Sequence, residues 1–216
     1  MRYSTYDTVA WFYDALSFIV FKSSQLKSQE WTLEHVLPNS VVLIAGGGTG
    51  LILEALCNKI PKSLRIVYVE LSEKMMIKAK MRDVRQNEVI FILGAVEMLS
   101  FAERVDVIQT GFLFDNFTQE HATLVFEKLN SILKENGLWL FTDFTSGKTW
   151  WQKLLLSCMY LFFRLLCRIE AKQVPDIKTL YINNNYRMRD KKSYFNDFIE
   201  STIYLKNRSV GNKGTA

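Results

Sequence analysis

Short, β-branched apolar runs alternate along the chain with longer stretches whose apolar positions recur at helical spacing. The pattern predicts strands at Val41–Ala45, Arg65–Glu70, Val89–Leu93, Val105–Gly111 and Leu138–Phe144, with helices at about 50–59, 73–82 and 118–133. Strand, helix and strand repeated in this way imply a parallel sheet covered on both faces, because each crossover helix returns the chain to the same edge of the layer. Residues 1–37 read as helical, with Lys22–Leu37 a second helix closed by Pro38-Asn39. Residues 149–170 are apolar almost all round until Pro175 and Asp176 end the run, and 176–183 make a short helix or turn. Two β-like segments follow, joined around Asn196-Asp197-Phe198-Ile199, and the polar tail 207–216 is expected to fray. With no internal repeat or linker, 1–216 reads as a single domain.

The first strand runs into Gly46-Gly47-Gly48-Thr49-Gly50 and then into the helix formers Leu51 to Leu56. Glycines at such a junction let the backbone turn sharply and approach a ligand, while the helix start offers free N–H groups. A glycine turn alone also serves packing. The second strand ends in Glu70, 20 positions after Gly50, where a carboxylate can accept hydrogen bonds from both hydroxyls of a ribose. The competing reading of Glu70 is a solvated acid or a cap for the helix beginning near Ser72. A nicotinamide-type turn would need G-x-G-x-x-G, and position 51 is Leu.

Ile44-Ala45-Gly46-Gly47-Gly48-Thr49-Gly50 together with Glu70 resembles the cofactor site of class I S-adenosylmethionine-dependent methyltransferases, closest to the ubiquinone/menaquinone-biosynthesis-type small-molecule branch. The resemblance covers roughly Tyr6 to Leu205. It implies an α/β, Rossmann-like, doubly wound sheet of seven mostly parallel strands with the last antiparallel, an N-terminal helical cap (1–37) and a helical lid insertion after the fifth strand (148–183). The Lys-Glu-Asn-Gly turn at Lys134–Gly137 fits the same pattern. The cofactor implied is S-adenosyl-L-methionine, held by Tyr13, Ala45, Gly46, Gly47, Gly48, Gly50, Glu70, Leu71, Ala95, Val96 and Thr110. Tyr13 enters through the Tyr6-Asp7 and Tyr13-Asp14 pairs, since a similar segment closes over the cofactor in the family; a packing aromatic is the alternative. Two departures stand out. Members usually carry an acid at the position of Ile44 and another at that of Ala95, where it meets the adenine; here only Glu97 could substitute for the second.

Methyl transfer is an in-line displacement at an activated methyl, so alignment and exclusion of water are the main tasks and no dedicated nucleophile or metal is required. His35 and His121 offer no metal constellation. Asp115, at the mouth of the fourth strand, is the acid to test as a general base, against a reading as a capping or loop acid. Phe112, Phe114, Phe117 and Trp151 are candidates for the acceptor pocket, and equally for core.

Net charge is +5, unevenly placed: residues 145–216 carry 13 Lys+Arg against 5 Asp+Glu, while residues 1–144 carry 14 against 17. A basic last third suits an acidic or phosphorylated molecule or an anionic membrane, or is simply solvated. Trp150–Ile169 is too short between Lys153 and Arg164 to span a bilayer comfortably, leaving a buried helix, an interfacial helix or a lid over an apolar substrate, of which the lid is favoured. Cys57, Cys158 and Cys167 read as reduced, buried thiols of a cytoplasmic protein, peripheral to a membrane if 150–169 touches one. The expected partner is a small, apolar or lipid-like acceptor, with no nucleic-acid motif present and nothing to set the oligomeric state. A non-catalytic scaffold on the same fold is the alternative the two missing acids support.

Overall fold

The computed structural model describes residues 7, 9–11, 13–167, 169 and 171–208. Strands β1 (Val41–Ala45), β2 (Lys62–Glu70), β3 (Gln86–Leu93), β4 (Val105–Gly111), β5 (Leu133–Phe144), β6 (Tyr186–Tyr194) and β7 (Ile199–Lys206) form one sheet in the order β3-β2-β1-β4-β5-β7-β6. The first five run parallel, and β7 is antiparallel to both its neighbours. Among the described residues seven α-helices accompany them: α1 (Tyr13–Phe21), α2 (Ser24–Thr32), α3 (Leu51–Lys59), α4 (Glu73–Lys80), α5 (Gln119–Ile132), α6 (Trp150–Cys167) and α7 (Ile177–Asn183). The winding reverses between β1 and β4, which opens a crevice at their carboxyl ends.

Alternation along the central strands sends their side chains into two cores. Leu43 and Ala45 of β1 join Val125, Phe126 and Leu129 of α5 and Tyr181 of α7. Val42 and Ile44 join Leu53 and Leu56 of α3 and Met76 and Ala79 of α4. A third cluster sits beyond the sheet's end, where Leu156, Tyr160 and Cys167 of α6 meet Phe21, Phe144, Phe198 and Ile199. The outermost strand, β6, is exposed along most of its length and carries Arg187, Arg189, Lys191 and Lys192, which discourage pairing with another edge.

Several element ends differ from the sequence expectation. The strands β2 and β3 begin three residues earlier than their apolar runs, because Lys62 pairs with Gln86 at the solvent end of the sheet, where hydrophobicity carries no signal. The Lys134–Gly137 turn lies inside β5 instead of before it: Leu133 faces Val105 and Leu138 faces Val107, so the four residues loop out of register, with Asn136 at φ +60°. Lys22–Leu37 is not one helix. Lys22 at φ +54° separates α1 from α2, and Leu33–His35 tighten into a 3-10 turn. Cys57 and Cys167 are buried as expected, whereas Cys158 is exposed because α6 turns that side outward. Asn207 is tied to Asn185, its N–H donating to the carbonyl at 3.1 Å; positions 209–216 of the tail lie outside the described residues.

The α5 face closes around Trp139, which stacks on Phe126 at 5.0 Å, meets Tyr181 edge-on and donates from Nε1 to Thr110 Oγ1 at 3.0 Å. Truncating Trp139 to Ala removes a fully buried indole and takes its hydrogen bond from the buried Thr110 hydroxyl. The expected loss is about 3–5 kcal/mol, read as a lower urea midpoint with an unchanged slope.

Candidate active site

The glycine turn after β1 is shaped from below by a residue that the sequence pattern did not single out. The ring of Tyr68 lies under Gly47 so closely that a Cβ there would come within 2.2 Å of it, and the Tyr68 hydroxyl donates to the Gly48 carbonyl at 2.9 Å. Gly48 has φ +64°, and a Cβ on it would meet nothing nearer than Met75 Sδ at 3.9 Å, so the turn presents bare backbone to open space. Arg82 braces the far side, donating to the Thr49 carbonyl at 3.0 Å and pairing with Glu54.

Glu70, at the end of β2, ties this turn to the next one. Its Oε2 accepts from the Gly48 N–H and its Oε1 from the Ser72 N–H, both at 2.8 Å. The cap of α4 is Ser72, whose hydroxyl accepts from the Met75 N–H, so Glu70 is not a helix cap. Burial raises its carboxyl pKa, and the backbone N–H groups act against that rise. Asp7 reaches the same place, accepting from the Ser72 hydroxyl and from the Lys74 N–H, so the N-terminal segment crosses the β2–α4 turn. Tyr13 begins α1, but its side chain lies outside the described residues.

After β3, Gly94 opens a second space, a Cβ there meeting nothing within 4 Å. Ala95 and Val96 follow in a 3-10 turn, Val96 buried. Glu97 does not stand free to replace the acid missing at Ala95: it contacts His121 Nε2 at 3.0 Å, while Phe117 packs on the imidazole. Ile44 is fully buried in the α3 face, an apolar side chain at the position before Ala45 and Gly46.

At the carboxyl ends of β4 and β5 stand two carboxylates, one of them unanticipated. Asp143 accepts from the N–H groups of Phe144 (2.8 Å), Phe114 (3.1 Å) and Asp115 (3.3 Å), fixing the 112–117 loop to β5. Burial pushes its pKa up to about 7 against those three donors. Beside it the half-buried Asp115, which accepts from Asn116 Nδ2 at 2.9 Å, is raised by burial and then by the charge of Asp143. Tyr160 of α6 lies near enough for both charges to add to the burial that keeps its hydroxyl protonated. An acid closing an apolar strand was the signal that found Glu70, and Thr142-Asp143-Phe144 shows the same signal.

The aromatic candidates separate. Phe114 is fully buried against Trp139 and Phe141, so it belongs to the α5 core. Phe112, at φ +54°, packs on Phe144, and Trp151 of α6 packs on Phe195 and Phe198. Leu71 continues the Glu70 turn, and the Thr110 hydroxyl is engaged by Trp139.

A family profile described as a methyltransferase domain matches residues 42–137. That stretch, from β1 into β5, is similar to a methyltransferase domain. The chain is 37% identical over 106 residues to the malonyl-[acyl-carrier protein] O-methyltransferase of Priestia megaterium (strain DSM 319 / IMG 1521), a match covering 49% of the chain and 37% of that protein. The chain thus spans little more than a third of the length of that curated relative. The fold resembles that of the methyltransferase solved with the Haloferax volcanii Trm112 activator (TM-score 0.71, 14% identity, 96% of this chain and 100% of that one). It also resembles magnesium protoporphyrin IX methyltransferase from Synechocystis PCC 6803 with bound SAH (TM-score 0.61, 15% identity, 85% and 83%).

The carboxyl pair makes the chain's stability pH-dependent. Folded, Asp143 holds a proton up to about pH 7, whereas an ordinary aspartate releases it near 3.8. Its contribution to stability is therefore fullest below that ordinary value, falls as pH rises toward 7, and is level above. Urea unfolding at pH 5 and pH 8 is expected to show a lower midpoint at pH 8, and Asp143→Asn to shrink that difference. An unchanged difference in the variant would show that Asp143 titrates normally.

Proposed function

We propose that the chain transfers the methyl group of S-adenosylmethionine to a small acceptor with an apolar or lipid-like body. The observation carrying this reading is the Glu70 clasp, which holds the glycine turn and the α4 turn at fixed distance on either side of one buried carboxylate. A carboxylate has about four acceptor positions, so the two backbone N–H groups leave capacity for ribose hydroxyls. The residues present fit the cofactor: bare backbone faces open space at Gly48, and more space opens at Gly94 beside Ala95 and Val96. Ala45, Gly46, Gly47, Gly48 and Gly50 would carry the methionine side, Glu70 and Leu71 the ribose, and Ala95 and Val96 the adenine, with Thr110 at the floor. When bound, the cofactor supplies a methyl already activated by sulfonium charge.

What the chain adds is alignment and proton handling. Phe112, Phe117 and Trp151 would bound the acceptor and keep water from the reacting atom. Asp115, whose pKa is lifted by burial and by Asp143, is placed to take a proton from an acceptor hydroxyl or amine on its carboxylate oxygen. Asp143 would hold the loop bearing Asp115 and share that proton. In this reading α6 serves as the lid over the acceptor. One side of it packs on Phe144 and Phe198, while Trp150 (77% exposed), Leu154, Leu161 and Leu165 (73% exposed) form one outward stripe. No helix among the described residues is long and apolar enough to cross a membrane. Together with the neighbouring Lys153 and Arg164, the stripe supports contact with an anionic bilayer from which a lipid-like acceptor could be drawn.

Calorimetry with S-adenosylhomocysteine is expected to show binding to the folded chain and at least a tenfold loss in Glu70→Ala, about 1.4 kcal/mol. Absence of binding by well-folded wild-type protein would remove the enzyme reading and leave the scaffold alternative. For the lid stripe, co-sedimentation with phosphatidylglycerol vesicles is expected to weaken with salt and in Leu161→Asp/Leu165→Asp; equal pelleting by the variant would place the contact elsewhere.

A further inference from the structure

A cavity of about 370 Å³ lies between the inner side of α6 and the segment that follows it, lined by Ser146, Lys153, Leu156, Tyr160, Lys172 and Gln173, with Ser157 and Val174 at its edge. Its rim is exposed and its floor is not: Leu156 and Tyr160 are both 8% exposed. Among the described residues every charged side chain lining it is a lysine, and neither Lys153 nor Lys172 has an acidic partner. Elsewhere on this basic third, Lys178 and Lys191 share Glu200, and Lys148 pairs with Asp197. The side chains of Ser146 and Gln173 add uncommitted hydrogen-bond donors at the rim, while the Ser157 hydroxyl already donates to the Lys153 carbonyl. At the floor the Tyr160 hydroxyl is buried without a hydrogen-bond partner. The same side chain feels the charges of Asp115 and Asp143, so the floor of the cavity lies toward the carboxyl pair at the sheet's end.

Two unpaired ammonium groups held around one cavity repel each other, and an anion between them relieves that repulsion. A rim of cationic and neutral donors over an apolar floor suits a molecule with an anionic head and a hydrocarbon or aromatic body. The carboxyl pair, at the opposite end, would disfavour the head and so orient the molecule with its neutral part toward the reacting position.

We propose that this cavity is the acceptor's anion subsite, in which Lys153 and Lys172 grip a carboxylate or phosphate carried by the substrate at a distance from the methylated atom. This assignment rests on the methyl-transfer reading for the word acceptor, but not for the binding itself. It narrows the substrate class from apolar to amphipathic and acidic. The cationic rim and the apolar floor of this cavity would then serve the two halves of one molecule.

The test is calorimetry on the full chain at low salt with octyl phosphate, octanoate and octanol, each below its aggregation concentration. At least one of the two anions is expected to bind tenfold or more tightly than octanol, and which one does so identifies the headgroup. Lys153→Met/Lys172→Met is expected to erase that preference to within threefold while leaving S-adenosylhomocysteine affinity within twofold of wild type, which also certifies the fold. Equal affinity for the charged and neutral chains overturns the proposal, as does a preference that survives the double substitution. Binding seen only above the aggregation concentration overturns it too, since that reports a surface and not a cavity. If the preference is present and S-adenosylhomocysteine does not bind, the methyl-transfer reading fails while the anion site stands.

Discussion

One buried carboxylate sets the geometry of the glycine turn and of its neighbour. Glu70 accepts from a backbone N–H on each of two turns, and those turns begin two different helices. Charge-assisted bonds of this kind are short and directional, so the spacing between the Gly48 turn and the α4 start follows from the size of a carboxylate group. Tyr68 works from beneath on the same turn, its ring excluding any side chain at Gly47 and its hydroxyl holding the Gly48 carbonyl. The loop is therefore positioned before any ligand arrives, and ordering it costs nothing at the moment of binding.

Asp143 repeats this arrangement one switch point away. Where Glu70 joins two turns of the nucleoside half, Asp143 joins the 112–117 loop to the end of β5 with three N–H bonds. The two acids differ in their neighbours. Beside Glu70 the nearest named charge is Asp7, already engaged by Ser72 and Lys74, whereas beside Asp143 stands a second carboxyl in the same low-dielectric recess. Two negative charges cannot be held there at ordinary cost. A proton held by the pair resolves the conflict.

The sheet was legible because its information is local: β-branched runs, glycine after β1, and acids at strand ends place β1 and β4 to the residue. The errors fall where pairing, not hydrophobicity, extends a strand, as at Lys62 and Gln86, or where a loop is absorbed into a strand's register, as at Lys134–Gly137. Of the cofactor-side residues, Glu70 and the glycines could be read from spacing. Tyr68 could not, since a tyrosine inside an apolar strand looks like any core aromatic until the turn above it is in place. Lys153, Tyr160 and Lys172 were equally invisible as a group. Lys153 and Tyr160 lie seven positions apart on one helix, and the third arrives from beyond a break whose path no periodicity encodes. The Phe114 candidate illustrates the converse, a residue in the right stretch whose side chain the 3-10 turn directs into the α5 core.

The third hydrophobic cluster attaches α1 and α6 to the end of the sheet through Phe144, Phe198 and Ile199, with Phe112, Tyr194 and Phe195 packed against it. Gln152 adds a polar tether, accepting from the Lys148 and Thr149 N–H groups and donating to the Asn196 carbonyl. A helix joined this way is exchangeable over evolutionary time. Its outer and cavity-lining positions can drift, and its length can change, while the interleaved strands and the two carboxylate clasps are left alone. The profile that matches this chain stops at residue 137, before that helix begins. Lineages of such a protein would then diverge in what they modify far faster than in how they hold the group they donate.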